Sequence, residues 1–336
     1  MRKIAFAAAA ALFAAPAWAQ NDIDTICDQF SGAVATRCAT VAQAVDAAQP
    51  QLGILMAGGN PTLGTASTGG VRLGVIPRVS LTARLNVVGA RLPDIRAEAD
   101  GEADKFTLPA PAVGANLSIG LTQGFSLAPM LGGFGAIDLL GSVSVLPLEL
   151  LGDEFGDNAF SWGAGARVGL IRESFVTPGV SVSLMYRSLG EVSLGDVCSG
   201  SEGTEGNPRS CSTADGDFGE LRFGLDNWSA RAAVSKRLLG LGLTAGVGYD
   251  RFETSADFAF RAPDGSNQIY RFDEIGVDND RWSAFIDASF TVLVGSLVAE
   301  LGWMQGADPI EGFPDTSDFD PGEGTFFGSL GARLSL

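Results

Sequence analysis

Apolar residues at every second position, repeated along most of the 336 residues, constrain this chain more than any other feature. Successive side chains of an extended strand point to opposite faces, so a period of two marks a strand with one apolar and one polar face. Val79, Leu81, Ala83, Leu85 and Val87 alternate with Ser80, Thr82, Arg84 and Asn86. The same pattern fills residues 113–121, 162–170, 180–187, 241–250, 281–290 and 326–336. Beyond the first twenty residues no apolar run reaches the roughly 18 residues that a membrane helix needs. What remains is an all-β chain, either a secreted sandwich or a barrel whose alternation conceals a membrane span.

The links between strands separate these two. Short links fall near 76–78, 123–132, 172–179, 236–240 and 292–296, and long polar Gly/Pro/Asp-rich links fall at 93–111, 147–158, 189–220, 255–280 and 305–324. Short turns at one end and long loops at the other are the pattern of an antiparallel transmembrane β-barrel. Counting 51–58 and 71–75 as strands gives twelve, the number expected here; ten is the alternative if those two are not membrane strands. An even count puts both termini on the short-turn, periplasmic side. Aromatic placement supplies an independent check. Trp162, Tyr186, Trp228, Tyr249, Trp282, Trp303 and Phe326 all occupy the apolar face where a strand meets a long loop. Such rings prefer a membrane interface, apolar on one side and wet on the other, so they form a girdle there.

The N-terminus reads as an export signal over residues 1–19. Arg2 and Lys3 give a positive start, an apolar run follows, and Ala17-Trp18-Ala19 is a cleavage site that leaves Gln20 as the new terminus. Residues 20–50 differ in kind. Ile23, Ile26, Cys27, Phe30, Val34, Cys38, Val41 and Val45 have helical spacing, with Asp22 as an N-cap and Pro50 as a stop. Two readings stand for this segment, a plug in the lumen and a periplasmic helix. The barrel would occupy 51–336.

From about residue 51 to the end, the alternation, the loop asymmetry and the aromatic belt resemble the bacterial outer-membrane β-barrel superfamily. A fainter similarity is to long-chain fatty-acid and hydrocarbon transporter barrels. The first resemblance implies outer-membrane lipid as the surroundings and the barrel-assembly machinery as a partner. That machinery reads a strand ending in an aromatic; here the final strand fits, and Leu336 stands in that place. The second implies an N-terminal plug.

The residues narrow the chemistry. There is no histidine, only three lysines, and a net charge of −17. A histidine base beside Ser or Asp is therefore excluded, no enzyme is expected, and a nucleic-acid partner lacks the basic footprint it would need. No cofactor or metal is expected. The acidic clusters at Asp315, Asp318, Asp320 and Glu323 and at Asp278 and Asp280 lack the spacing of a calcium loop and read as solvated. On the polar strand face, Arg72, Arg78, Arg84, Asp138, Arg167, Arg187, Arg231, Asp250, Arg281, Asp287, Glu300 and Arg333 should line the lumen, because charge on the lipid side is costly. Cys198 and Cys211 share one long loop and suit a disulfide. Cys27 and Cys38 are left for each other, which requires a helix break at Ser31-Gly32, since a continuous helix would hold them about 16 Å apart. These features lead to the expectation of a barrel that passes small solutes or hydrophobic compounds. The rival is a structural or surface-interaction barrel with a closed lumen. Oligomeric state stays open.

Overall fold

The computed structural model describes residues 22–72, 76–95, 105–128, 132–148, 158–197, 218–263, 268–310, 313 and 318–336. The signal segment and the Cys198/Cys211 pair lie outside the described residues. The chain begins with a short helix, α1 (Asp22–Thr25), and a long one, α2 (Ala33–Ala57). A two-strand ribbon follows, β1 (Val71–Arg72) with β2 (Ile76–Pro77).

Ten strands then close a barrel: β3 (Val79–Pro93), β4 (Lys105–Gly120), β5 (Ala136–Leu146), β6 (Ala159–Ile171), β7 (Gly179–Leu194), β8 (Gly219–Leu238), β9 (Leu241–Arg261), β10 (Ile269–Val292), β11 (Gly295–Met304) and β12 (Thr325–Ser335). Every neighbour is antiparallel, and β12 pairs with β3 to shut the wall. Closure removes the edge strands that an open sheet would leave unpaired, which is the condition for crossing lipid with strands. Burial alternates along each strand, with Leu81, Leu85, Val113, Leu117, Leu139, Val143, Val168, Leu243, Ile286 and Leu330 all exposed on the outside.

The strand count is ten, not twelve. Residues 51–57 are helical and belong to α2, and 71–77 form only the small ribbon. The misreading has a clear cause. Pro50 looks like a stop but sits inside α2, where it removes the hydrogen bond to the Asp46 carbonyl. That carbonyl instead accepts from the wall residue Asn279, whose Nδ2 lies at 3.4 Å. The helix therefore runs on to Gly58, whose φ of 59° ends it, and the Gly58 N–H donates to the Ile54 carbonyl at 2.7 Å.

α2 carries Ala at many of its positions and apolar residues all round, which suits a helix enclosed on every side. From Cys38 to Gln51 every residue is buried. At its start the chain doubles back at Gly32 (φ 61°), and a Cys27–Cys38 disulfide with Cα atoms 5.7 Å apart fastens the hairpin. The break falls where Ser31-Gly32 was expected to place it.

The two ends of the described chain sit at opposite mouths. Phe30 packs edge-on against Phe260, Tyr270 and Phe272, at the long-loop ends of β9 and β10. Leu336 lies at the other mouth, where its N–H donates to the Val79 carbonyl at 2.9 Å. Strand parity fixes where β3 starts and β12 ends, but not where the segment ahead of β3 has come from.

Two turns hold an exposed leucine in the left-handed region, Leu293 (φ 55°) between β10 and β11 and Leu239 between β8 and β9. Leu239 and Gly240 join β8 to β9 with φ of 49° and 90°, as a two-residue hairpin with both central residues left-handed. Leucine is a poor occupant, and its side chain is fully exposed, so it gains nothing in return. L239N is expected to stabilise the barrel by about 1 kcal/mol, relieving the left-handed strain. Denaturant titration in lipid vesicles measures this; an unchanged or lower midpoint would contradict it.

The filled lumen and its two cavities

The inward face of the wall is polar in its lower part and apolar in its upper part. α2 and the residues after it fill both. In the lower part, wall charges hold the backbone of residues 58–70. Glu300 accepts from the N–H groups of Gly59 (3.0 Å) and Asn60 (2.7 Å) and is ion-paired with Arg84. Arg84 also donates to the Asn60 carbonyl at 2.9 Å. Asp287 accepts from Asn60 Nδ2 (2.7 Å) and the Gly64 N–H (2.9 Å). Asp138 accepts from the Gly69 N–H at 3.0 Å and pairs with Arg167 at 2.6 Å. Arg231 pairs with Asp250 at 2.8 Å and donates to the Gly59 carbonyl at 2.9 Å. Arg333 donates to the Leu63 carbonyl at 2.7 Å. A segment without regular structure inside a membrane protein must find partners for its backbone, and the wall supplies them.

Of the twelve residues expected inside, Arg84, Asp138, Arg167, Arg187, Arg231, Asp250, Asp287, Glu300 and Arg333 are buried there. Arg281 is half-buried, reaching Asn279 at 2.5 Å and Asp46 at 3.8 Å. Arg78 is exposed just ahead of β3, because it lies before the wall begins. The Arg72 side chain is outside the description. The alternation did not single out the polar residues that grip the plug: Asn60, Asn86, Asn116, Asn279 and, on the helix, Gln43, Asp46, Gln49 and Gln51. Gln51 makes a reciprocal pair with the Arg91 backbone at 2.7 Å each way, and Gln49 donates to the Val277 carbonyl at 2.8 Å. For those on the helix, the one legible signal was four amide or carboxylate side chains among the many Ala and Val of residues 41–51.

The upper interior is apolar. Val41, Val45 and Ala48 of α2 pack with Leu194, Leu221, Phe223, Phe258 and Phe260 of the wall. Between helix and wall lies a cavity of about 50 Å³, bounded by Leu52, Leu55, Val88, Leu108, Ala110, Val192 and other apolar residues, with Gln51 as its one polar neighbour. Among the described residues, the wall behind it is incomplete. β4 pairs with β5 only from Val113 to Gly120, so among the described residues Lys105–Ala112 pairs with β3 alone. β6 begins at Ala159, and its pairing with β7 ends at Leu189, below Val192 and Leu194. The cavity residues Leu108, Ala110, Leu148, Val192 and Leu194 therefore flank a notch above the short strands β5 and β6. Pro109 and Pro111 stand on its β4 side. Their ladder with β3 is continuous, so the missing N–H groups face the notch, and that edge cannot donate where a neighbour would need it.

A second cavity, of about 540 Å³, opens at the short-turn mouth. Thr62, Thr65, Thr68, Arg78, Arg167, Glu173, Arg237 and Arg333 line it.

Outside, the aromatic residues form a band around part of the wall. Trp162 meets Tyr186 (5.7 Å between rings), Tyr186 meets Trp228 (5.1 Å) and Tyr249 meets Trp282 (5.2 Å), while Trp303 is in register with Phe326. All four of these tryptophans and Phe326 are exposed on the outer face.

No family model matches the chain, and no curated protein matches it. Loose likenesses to solved structures exist. The translocator domain of the autotransporter NalP from Neisseria meningitidis shares 12% identity over 79% of this chain and 90% of its own, with a TM-score of 0.38. The transport unit of the autotransporter AIDA-I from Escherichia coli shares 8% over 87% and 99%, also at 0.38. The TodX monoaromatic hydrocarbon channel shares 14% over 77% and 88%, at 0.29. The assignment of this chain rests on its own geometry. Ten closed antiparallel strands, an apolar outer face and an aromatic band along it make this chain a β-barrel that crosses a membrane with its strands.

Proposed function

We propose that this barrel is closed to ions at rest and admits small hydrophobic compounds from the side, between its plug helix and the notched wall. The single observation that carries this reading is the cavity, lined by apolar side chains and Gln51, directly behind the stretch of β4 that pairs, among the described residues, with β3 alone. A structural barrel has no need of two prolines on a strand beside an unfilled apolar space. An apolar compound gains by leaving water for such a site in proportion to the area it buries. The space at rest takes only a small apolar group, so a larger ligand has to displace Leu52 or Leu55 on α2. The plug held by the lower charges would meanwhile block water and ions. Oligomerisation is not required, since one chain holds both cavity and notch.

The test pairs two measurements on the full chain. In a planar bilayer it should carry no steady ion current, and a fluorescent apolar probe such as phenylnaphthylamine should bind saturably. A110L and A90L, which fill the cavity from the wall side, should weaken that binding by about tenfold, the scale of a lost apolar site. Steady current from the full chain would favour an open pore instead. Absence of both current and probe binding would favour the closed structural barrel.

A further inference from the structure

We propose that the cavity at the short-turn mouth is a binding site for a small oxyanion, with Arg333 and Arg237 as its principal ligands. This site is separate from the apolar one and would stand if that reading failed.

The cavity is large for a barrel whose lumen is otherwise filled, about 540 Å³, and it opens between the β6–β7 and β8–β9 turns, where Phe175 and Leu239 form its rim. Four arginines line it. Arg167 is already neutralised by Asp138 at 2.6 Å. Arg78, Arg237 and Arg333 make no ion pair among the described residues. The carboxylate that shares the cavity, Glu173, is engaged elsewhere: it accepts from the Arg237 backbone N–H and from Ser235 Oγ at 3.5 Å. The balance of charge facing the space is positive.

Unpartnered buried donors point the same way. Arg333 is only 4% exposed, and its Nη1 and Nη2 reach Leu63 O (2.7 Å) and Ser296 Oγ (3.5 Å), but its Nε has no partner. The hydroxyls of Thr62 and Thr68, both buried and both lining the cavity, also lack partners. Buried polar atoms are rarely left so, and a guanidinium N–H with two hydroxyls around a positive space is the donor set of a phosphate or carboxylate. All three atoms are closed off at rest, so an oxyanion would engage them as Thr62, Thr68 and Arg333 turn toward the space. It would also offset like-charge repulsion among arginines drawn to one mouth.

A free anion and a phospholipid headgroup share this tetrahedral oxyanion chemistry, and both can reach the mouth. Inorganic phosphate titrated into the detergent-solubilised full chain should show saturable binding by calorimetry. R333Q should weaken it about tenfold, the scale of one charge-assisted hydrogen bond. R237Q, at an exposed position that holds nothing in the fold, should do the same and keeps the test valid if R333Q fails to fold. R251Q, on the far side of the aromatic band, should leave binding unchanged. Repeating the titration with phosphatidylglycerol in the micelle separates the sources: competition assigns the site to a headgroup, and its absence to a free anion. No saturable binding, or wild-type affinity in R237Q, would overturn the proposal.

Discussion

E300A is expected to destabilise the barrel by about 3–5 kcal/mol, the cost of stranding a buried charge by deleting its partner. Glu300 is buried, pairs with Arg84, and accepts from Ser329 Oγ at 2.9 Å and from the Gly59 and Asn60 N–H groups at 3.0 and 2.7 Å. Alanine would leave the Arg84 guanidinium without a counter-charge and two backbone donors without acceptors, deep inside the wall. The damage should centre on the plug, since those two donors belong to it. E300A should therefore also raise ion conductance in a bilayer, while E300Q, which retains an acceptor, should fall between. Guanidinium titration of vesicle-reconstituted protein gives the first number and planar-bilayer current the second. A loss below about 0.5 kcal/mol, the ordinary scatter of surface changes, would mean the grip on residues 58–70 does not matter.

L85R is expected to cost about 2–4 kcal/mol, because it puts a charge against lipid near the midplane. Leu85 is exposed on the outer face, in register with Leu330 and Val113, and lies part way between the start of β3 and the aromatic band. V168R on the opposite part of the wall should behave alike. The neighbouring inward residues make the contrast. Strand alternation alone suggests that R84L and R167L should be harmless, because the lumen side does not meet lipid. Both should still insert, but each strands a buried carboxylate, Glu300 or Asp138, and so should lose stability by another route. Insertion yield and denaturant midpoint separate the two effects. L85R with unchanged yield and midpoint would place Leu85 somewhere other than lipid.

The sequence by itself determined the wall. A period of two tells lipid face from inner face residue by residue, and it put Trp303, Phe326, Tyr249 and Trp282 on the outer face, where the structure sets them in register in pairs. It also placed nine of the twelve charges inside, since a charge facing lipid is costly wherever the strand stands. Tertiary structure alone decided what those charges do. Helical spacing showed that residues 20–50 bury a face, but not against what. Pro50 marked a stop only because its lost hydrogen bond is ordinarily left unmade, and here Asn279, 233 residues from Asp46 in sequence, makes it good. The same holds for Glu300 gripping Gly59 across 241 residues, and for the notch above β5 and β6. Local pattern reports which solvent a side chain meets. Which distant backbone it meets is set only when the barrel closes around its own N-terminal segment.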